Sequence, residues 1–250
     1  MAERDLPKVE TRVRFPVPAH TVMEKVTFGN RVLEFYKTLI PPRLPLRDIE
    51  IIRPYESQEV LEYMEKFFNK FFRDTRKRVF VLGINPGRFG SGATGIPFTD
   101  SVVLENVCGV ANTLAKRRET SSEFMYQFIE HWGGARKFYR DFFLTAVSPV
   151  GFVRGGVNCN YYDDPALFKA VRPFIVDTLT TQLAFGAKTN TAIILGSGKN
   201  QKVFSDLNRE YGWFKEVYVL EHPRFIMQYR RKYMQDYLEK YQDIFARALL

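Results

Sequence analysis

Asn85, Phe98 and His222 are the side chains whose types and settings are suited to chemistry. Asn85 presents an amide at the end of a dense apolar run, Val79 to Leu82, within Gly83-Ile84-Asn85-Pro86-Gly87. An amide both donates and accepts hydrogen bonds, so it can hold a water or a polar ligand edge. Glycines at 87, 90, 92 and 95 let the backbone approach a ligand closely, and Pro97-Phe98 then sets an aromatic ring ahead of a helix start at Thr99 or Asp100. His222 closes another apolar run and is followed by Pro223. A planar, uncharged, hydrogen-bonding ligand fits these parts. Each has a plainer alternative: Asn-Pro-Gly is a common turn in which the amide caps a loop, Phe98 suits a core, and His222 suits a surface turn.

The elements that must position these groups follow from periodicity. Residues 1 to 20 carry Pro7, Pro16 and Pro18 and read as an extended lead-in; Thr21 to Leu39 reads as a helix stopped by Pro41, Pro42 and Pro45. A connector reaches Pro54, and Ser57 caps a helix over Glu59 to Phe72 with a wide apolar face. The strand at 79 to 84 precedes a helix from Ser101 to Arg118, whose final Lys116-Arg117-Arg118 complements its C-terminus. A helix around Ser122 to His131, a strand from Phe142 to Val147 and a long loop from Gly151 to Asp164 come next. Then follow a helix over Pro165 to Ala184, a strand from Thr191 to Leu195, a helix to Tyr211, a strand from Glu216 to Leu220 and a charged helix over Ile226 to Leu249. Four apolar strands alternating with helices predict an α/β fold: a four-stranded, mainly parallel sheet covered by helices on both faces. Ligands of such sheets bind at the carboxyl ends of the strands, where Asn85 and His222 both fall.

With 250 residues the chain is read as one domain, residues 1–55 forming an extended and helical appendage. The net charge of +9 favours a polyanionic partner. Two cysteines, Cys108 and Cys159, are too few for a disulfide framework or a four-cysteine cluster. The three histidines lack metal-ligand spacing, so neither metal nor organic cofactor is expected. Neither a signal-peptide core nor a long apolar run is present, which makes the cytoplasm the expected compartment and a membrane partner unexpected. Gly90-Ser-Gly92-Ala-Thr-Gly95 matches a dinucleotide pattern in letters only, because Ile96-Pro97-Phe98 follows it where a helix is required. Gly198-Lys199 lacks the first glycine of a P-loop, that position being Ile193, although the turn at Ser197 can still offer amides to a phosphate.

Taken together, the run from Gly83 to Phe98 and His222-Pro223 resemble the two active-site motifs of the uracil-DNA glycosylase superfamily, most nearly a bacterial variant of the single-strand-selective monofunctional uracil-DNA glycosylase family. The resemblance in order of elements covers roughly residues 75 to 240. It implies that Asn85 positions the attacking water, Phe98 stacks on a flipped base and His222 donates to the departing pyrimidine. Ile84 and Gly87 then belong to the base pocket. Cleavage of an N-glycosidic bond fits such parts, since a stabilised leaving anion and a held water suffice.

A base extracted from the stack also needs a wedge and phosphate clamps. Phe225 is the expected wedge, with simple core as its alternative; Ser197, Lys199, Arg224 and Arg230 are the expected DNA contacts, and Arg230 to Lys232 alternatively form only a solvated helix face. The animal relatives carry an asparagine that reads the uracil edge where this chain has Ala146. Asn158 or Asn160 is expected to supply the missing amide, or else the pocket accepts further deaminated bases such as xanthine or hypoxanthine. The expected activity is therefore that of a monomeric, monofunctional DNA glycosylase releasing uracil, and with a permissive pocket other deaminated bases, in base excision repair. Its rivals are a mismatch-specific uracil or thymine glycosylase and a catalytically silent nucleic-acid-binding module.

Overall fold

The computed structural model describes residues 26–250, so the lead-in expected over residues 1–20 and the helix start expected at Thr21 lie outside the described residues. In chain order the elements are α1 (Phe28–Thr38), β1 (Ile49–Ile52), a 3-10 turn at Pro54–Glu56, α2 (Gln58–Phe71), β2 (Arg78–Gly83), α3 (Ser91–Thr94), α4 (Ser101–Asn106), α5 (Thr120–His131) and α6 (Ala135–Asp141). These are followed by β3 (Phe142–Ala146), β4 (Gly151–Arg154), β5 (Val157–Cys159), α7 (Pro165–Leu183), β6 (Ala187–Leu195), α8 (Lys199–Tyr211), β7 (Glu216–Leu220), α9 (Pro223–Tyr229), a 3-10 turn at Arg231–Tyr233 and α10 (Met234–Arg247).

Four strands form a parallel sheet in the order β3-β2-β6-β7, as their apolar runs predict. Every residue of β2 and β3 is buried, which only a sheet covered on both faces permits. The chain passes from β2 outward to β3 and returns on the other side to β6, so the crevice beside β2 opens at its carboxyl end, where residues 84–87 leave the sheet. The expected caps are present: Ser57 Oγ accepts from the Val60 amide, and one Asp100 oxygen accepts from the amides of Val102 and Val103 at 3.0 and 2.9 Å.

Three expectations are corrected. The stretch over 151–164 is not a plain loop: β4 and β5 form a hairpin, and β1, inside the presumed connector, pairs antiparallel with β4, making a second sheet in the order β1-β4-β5. Gly155 and Gly156, both with positive φ, supply the turn. The helix from Ser101 stops at Asn106 rather than at Arg118, because Gly109 adopts φ 63° and the chain folds back, with the Asn112 amide donating to the Ser101 carbonyl and Ser101 Oγ to that of Ala115. Lys116 to Arg118 thus ride on a loop. The last helix is broken into α9 and α10 at Arg230, whose φ of −133° departs from helical values and interrupts the ladder. A further helix, α6, was not anticipated from the sequence.

Residues 28 to 56 pack into the same core as the sheet. Phe28 of α1 lies against Phe72, Phe80, Phe143 and Phe185. Beneath it Arg78 is fully buried, its guanidinium 4.7 Å from the centroids of both Phe28 and Phe72, paired at two points with Asp74 (2.9 and 3.0 Å) and donating to the Tyr139 carbonyl. A buried charge persists only when so paired and bonded. It ties the segment before β2 to α1 and α6, fixing the strand that delivers Asn85.

Candidate active site

β2 ends at Gly83, and the absence of a side chain there is a packing requirement. A Cβ on Gly83 would lie 2.6 Å from Cζ of Phe98, so the Phe98 ring occupies the space that any other residue would fill. Phe98 itself has φ 55°, a left-handed conformation costly for a bulky residue. The surroundings hold it there. Thr94 Oγ1 donates to the Thr99 carbonyl at 2.7 Å and accepts from the Ile96 amide, while Thr99 Oγ1 meets the Tyr126 hydroxyl at 2.9 Å, itself 2.8 Å from that of Tyr139. The ring is 8% exposed and tilts 39° from His222, 5.8 Å between centroids. Gly83→Ala is therefore expected to displace Phe98 and reduce kcat/KM by about tenfold or more with the fold retained; an unchanged kcat/KM would remove the ring from the reaction.

Asn85 sits just beyond the strand, and its amide is locked by the hairpin. Oδ1 accepts from the Tyr161 amide at 3.0 Å, and Nδ2 donates to the carbonyls of Cys159 (3.3 Å) and Pro86 (3.4 Å). Oδ1 keeps a second lone pair, able to accept from a water.

His222 caps α9, its Nδ1 accepting from the Arg224 amide at 3.2 Å. That bond leaves the proton of the neutral ring on Nε2, a donor. Burial, reinforced by the charge of Arg224, pushes the imidazole down to about 4, so the ring is neutral near pH 7.

These three groups line one cleft of about 230 Å³, together with Ile84, Gly87, Asn158, Asn160, Ala146, Thr145, Arg224 and Phe225. The two asparagines proposed to read a base edge have protein partners already: Asn158 Oδ1 accepts from the Arg88 amide at 3.2 Å, and Asn160 Nδ2 donates to Asp163 at 3.4 Å. Phe225 is 39% exposed at the rim, which excludes the core alternative, and Arg230 lies over its ring at 5.5 Å. Arg230 is exposed and faces a neighbouring depression with Glu221 and Tyr233. Ser197 and Lys199 are exposed in the turn entering α8 and do not join the cleft.

Sequence reasoning missed Tyr36, Tyr55, Glu119, Ser121 and Tyr229, all of which line the cleft. Only Tyr229 carried a local signal, being one helical turn from Phe225. Glu119 accepts from Ser121 Oγ at 2.8 Å, and burial raises its carboxyl above the ordinary range. Arg117, freed from its presumed helix, stacks 3.9 Å from the centroid of Phe89. Among the described residues no group of three His, Cys, Asp or Glu is placed to hold a metal ion, and no helix is long and apolar enough to cross a membrane.

Comparison with known proteins adds the family. The uracil DNA glycosylase superfamily model matches residues 70–246. Among solved structures, wild-type SMUG2 from Pedobacter heparinus is similar at 40% identity with a TM-score of 0.85, over 89% of this chain and 98% of that one. No curated protein matches. The family match spans most of the chain, and it takes in both Gly83 to Phe98 and His222-Pro223: the chain belongs to the uracil DNA glycosylase superfamily and is a DNA glycosylase.

Proposed function

We propose that the protein hydrolyses the N-glycosidic bond of uracil in DNA, and of other deaminated bases such as xanthine, as a monofunctional glycosylase. The observation that carries this reading is the convergence of Asn85, Phe98 and His222 on one cleft. The base leaves the stack and lies on the Phe98 ring. As the bond to the sugar lengthens, negative charge grows on the departing base, and the neutral Nε2–H of His222 donates to its carbonyl oxygen. A neutral donor is suited to this task because it stabilises the anion without a full proton transfer. The sugar becomes cationic, and a water held on Asn85 Oδ1 captures it. The proton lost by that water passes to solvent, and the base departs as the anion.

Catalysis of this kind needs no covalent intermediate, and among the described residues no lysine lines the cleft. Arg224, exposed beside His222 and lining the same cleft, is the phosphate contact that the reading favours, and Phe225 is the group that enters the vacated stack. Arg224→Glu is expected to weaken DNA binding and flatten its salt dependence by roughly one unit of slope in log K against log salt; an unaltered slope would remove Arg224 from the clamp.

The test is release of free base from single-stranded and duplex oligonucleotides carrying uracil, xanthine or hypoxanthine, with Asn85→Ala as control. Uracil release that depends on Asn85 is the expected result. Release of several bases would mark a permissive pocket, a strict need for a guanine-paired duplex would favour mismatch specificity, and no release would overturn the proposal.

A further inference from the structure

We infer that Arg88 and Arg117, held on the ring of Phe89, form a second phosphate clamp beside the cleft and grip a backbone phosphate close to the flipped nucleotide. The inference rests on the base release proposed above and names a DNA contact of the same site.

Phe89 is a large apolar side chain left 36% exposed on the loop that follows Asn85. Two guanidiniums share its ring, that of Arg117 at 3.9 Å from the centroid and that of Arg88 at 4.9 Å. An aromatic face attracts each cation, but the two like charges repel one another. Among the described residues neither guanidinium forms an ion pair or a hydrogen bond; both arginines are tied to the protein through their backbone amides only. Lys116, next in the chain, is by contrast paired with Glu105 at 2.9 Å. A phosphate set against the two guanidiniums would offset both charges, and the planar fork of arginine matches its oxygens.

The patch is continuous with the cleft. Gly87 and Ser91, which bracket residues 88–90, line the cleft, as do Asn158 and Glu119, which hold that loop. The Arg88 amide donates to Asn158 Oδ1 at 3.2 Å, and a Cβ on Gly90 would collide with Glu119 Oε2. The segment carrying Arg117 is pinned as well. Its own amide donates to Ser101 Oγ at 3.2 Å, and the Glu119 amide donates to Asp100 Oδ2 at 3.0 Å. The guanidiniums are thus presented from fixed backbone rather than from the end of a helix.

Glu119 does not serve as their counter-ion. Its Oε1 accepts from Ser121 Oγ at 2.8 Å, and burial raises its carboxyl above the ordinary range. The charge of Arg224, which lines the same cleft, also acts on Glu119. Arg88, Arg117 and Arg224 therefore stand around one mouth, where a strand delivering a base must pass.

The test measures binding of a single-stranded oligonucleotide with a tetrahydrofuran abasic analogue at the target position. Arg117→Ala is expected to weaken binding about 3- to 10-fold and to lower the slope of log K against log salt by about one unit, and Arg88→Ala to act in the same direction. Lys116→Ala removes the same charge from a side chain already paired and is expected to stay within about twofold of wild type. The second arm replaces single phosphates by uncharged methylphosphonates, one at a time, over about three linkages on each side of the abasic position. At one linkage the loss seen with wild type is expected to vanish in Arg117→Ala, because the charge partner is already gone. Equal losses in wild type and Arg117→Ala at every linkage, an unaltered salt slope, or a loss in Lys116→Ala as large as that in Arg117→Ala would each overturn the inference. Wild-type protein that releases no uracil would overturn the proposed function and this inference with it, whereas wild-type release with equal methylphosphonate losses in both proteins would overturn the inference alone.

Discussion

Asn85→Ala is expected to slow single-turnover base release by about 10² to 10⁴ while DNA affinity stays within a few-fold of wild type. The expectation follows from what the amide holds and what holds it. Its Nδ2 is spent on the carbonyls of Cys159 and Pro86 and one Oδ1 lone pair on the Tyr161 amide, so the side chain cannot swing to read a base and faces the cleft through its remaining lone pair. A water placed there is oriented before the bond breaks, an advantage that bulk water lacks. Alanine also leaves three backbone groups without this partner, the Tyr161 amide and the carbonyls of Cys159 and Pro86, each bond worth about 1 kcal/mol. A denaturation midpoint measured beside the rate separates that loss of support from the loss of the water. Cleavage unchanged in a folded variant would sink the mechanism.

His222→Ala is expected to cost about 10² to 10³ in the same assay, and the pH profile carries the finer test. In the folded protein the imidazole titrates at about 4, depressed first by burial and then by Arg224. Protonation would also put a proton on Nδ1, where the Arg224 amide already donates. The active form is the neutral one, so the acid limb of kcat/KM, which reads the free enzyme, is expected near pH 4 rather than near the ordinary histidine value of about 6.5. A limb at about 6.5 would mean an unburied ring and a different leaving-group donor.

Stability follows the same group with a definite sign. Between about pH 4 and 6.5 the unfolded chain holds the proton and the folded chain does not, so stability rises with pH across that window. The contribution is complete above about 6.5 and lost as the pH falls through about 4. His222→Ala is expected to flatten this part of the stability curve, which chemical denaturation at several pH values would read.

Local patterns in the sequence already determined a good part of this protein. Val79 to Leu82 and Thr191 to Leu195 are apolar runs that only a strand covered on both faces can satisfy, and four such runs between helices leave a parallel sheet as the solution. Ser57 and Asp100 marked helix starts through a chemistry that acts within three residues. Asn85, Phe98 and His222 were legible because strand ends, glycines and a proline surround them in the chain itself.

Tertiary structure alone decided which distant groups share the cleft. Ile49–Ile52 is a short run among prolines and arginines, and it is a strand only because Gly151–Arg154 offers it an edge about a hundred residues later. Nothing local shows that the hairpin locks Asn85, that Asn158 serves the Arg88 amide, that Ser197 and Lys199 lie outside the cleft, or that Tyr36 and Tyr55 line it. The physical reason is that periodicity and capping report interactions within a turn or two of the backbone. The company a side chain keeps across the cleft is set instead by strand register and helix packing between segments far apart in sequence, which no local pattern encodes.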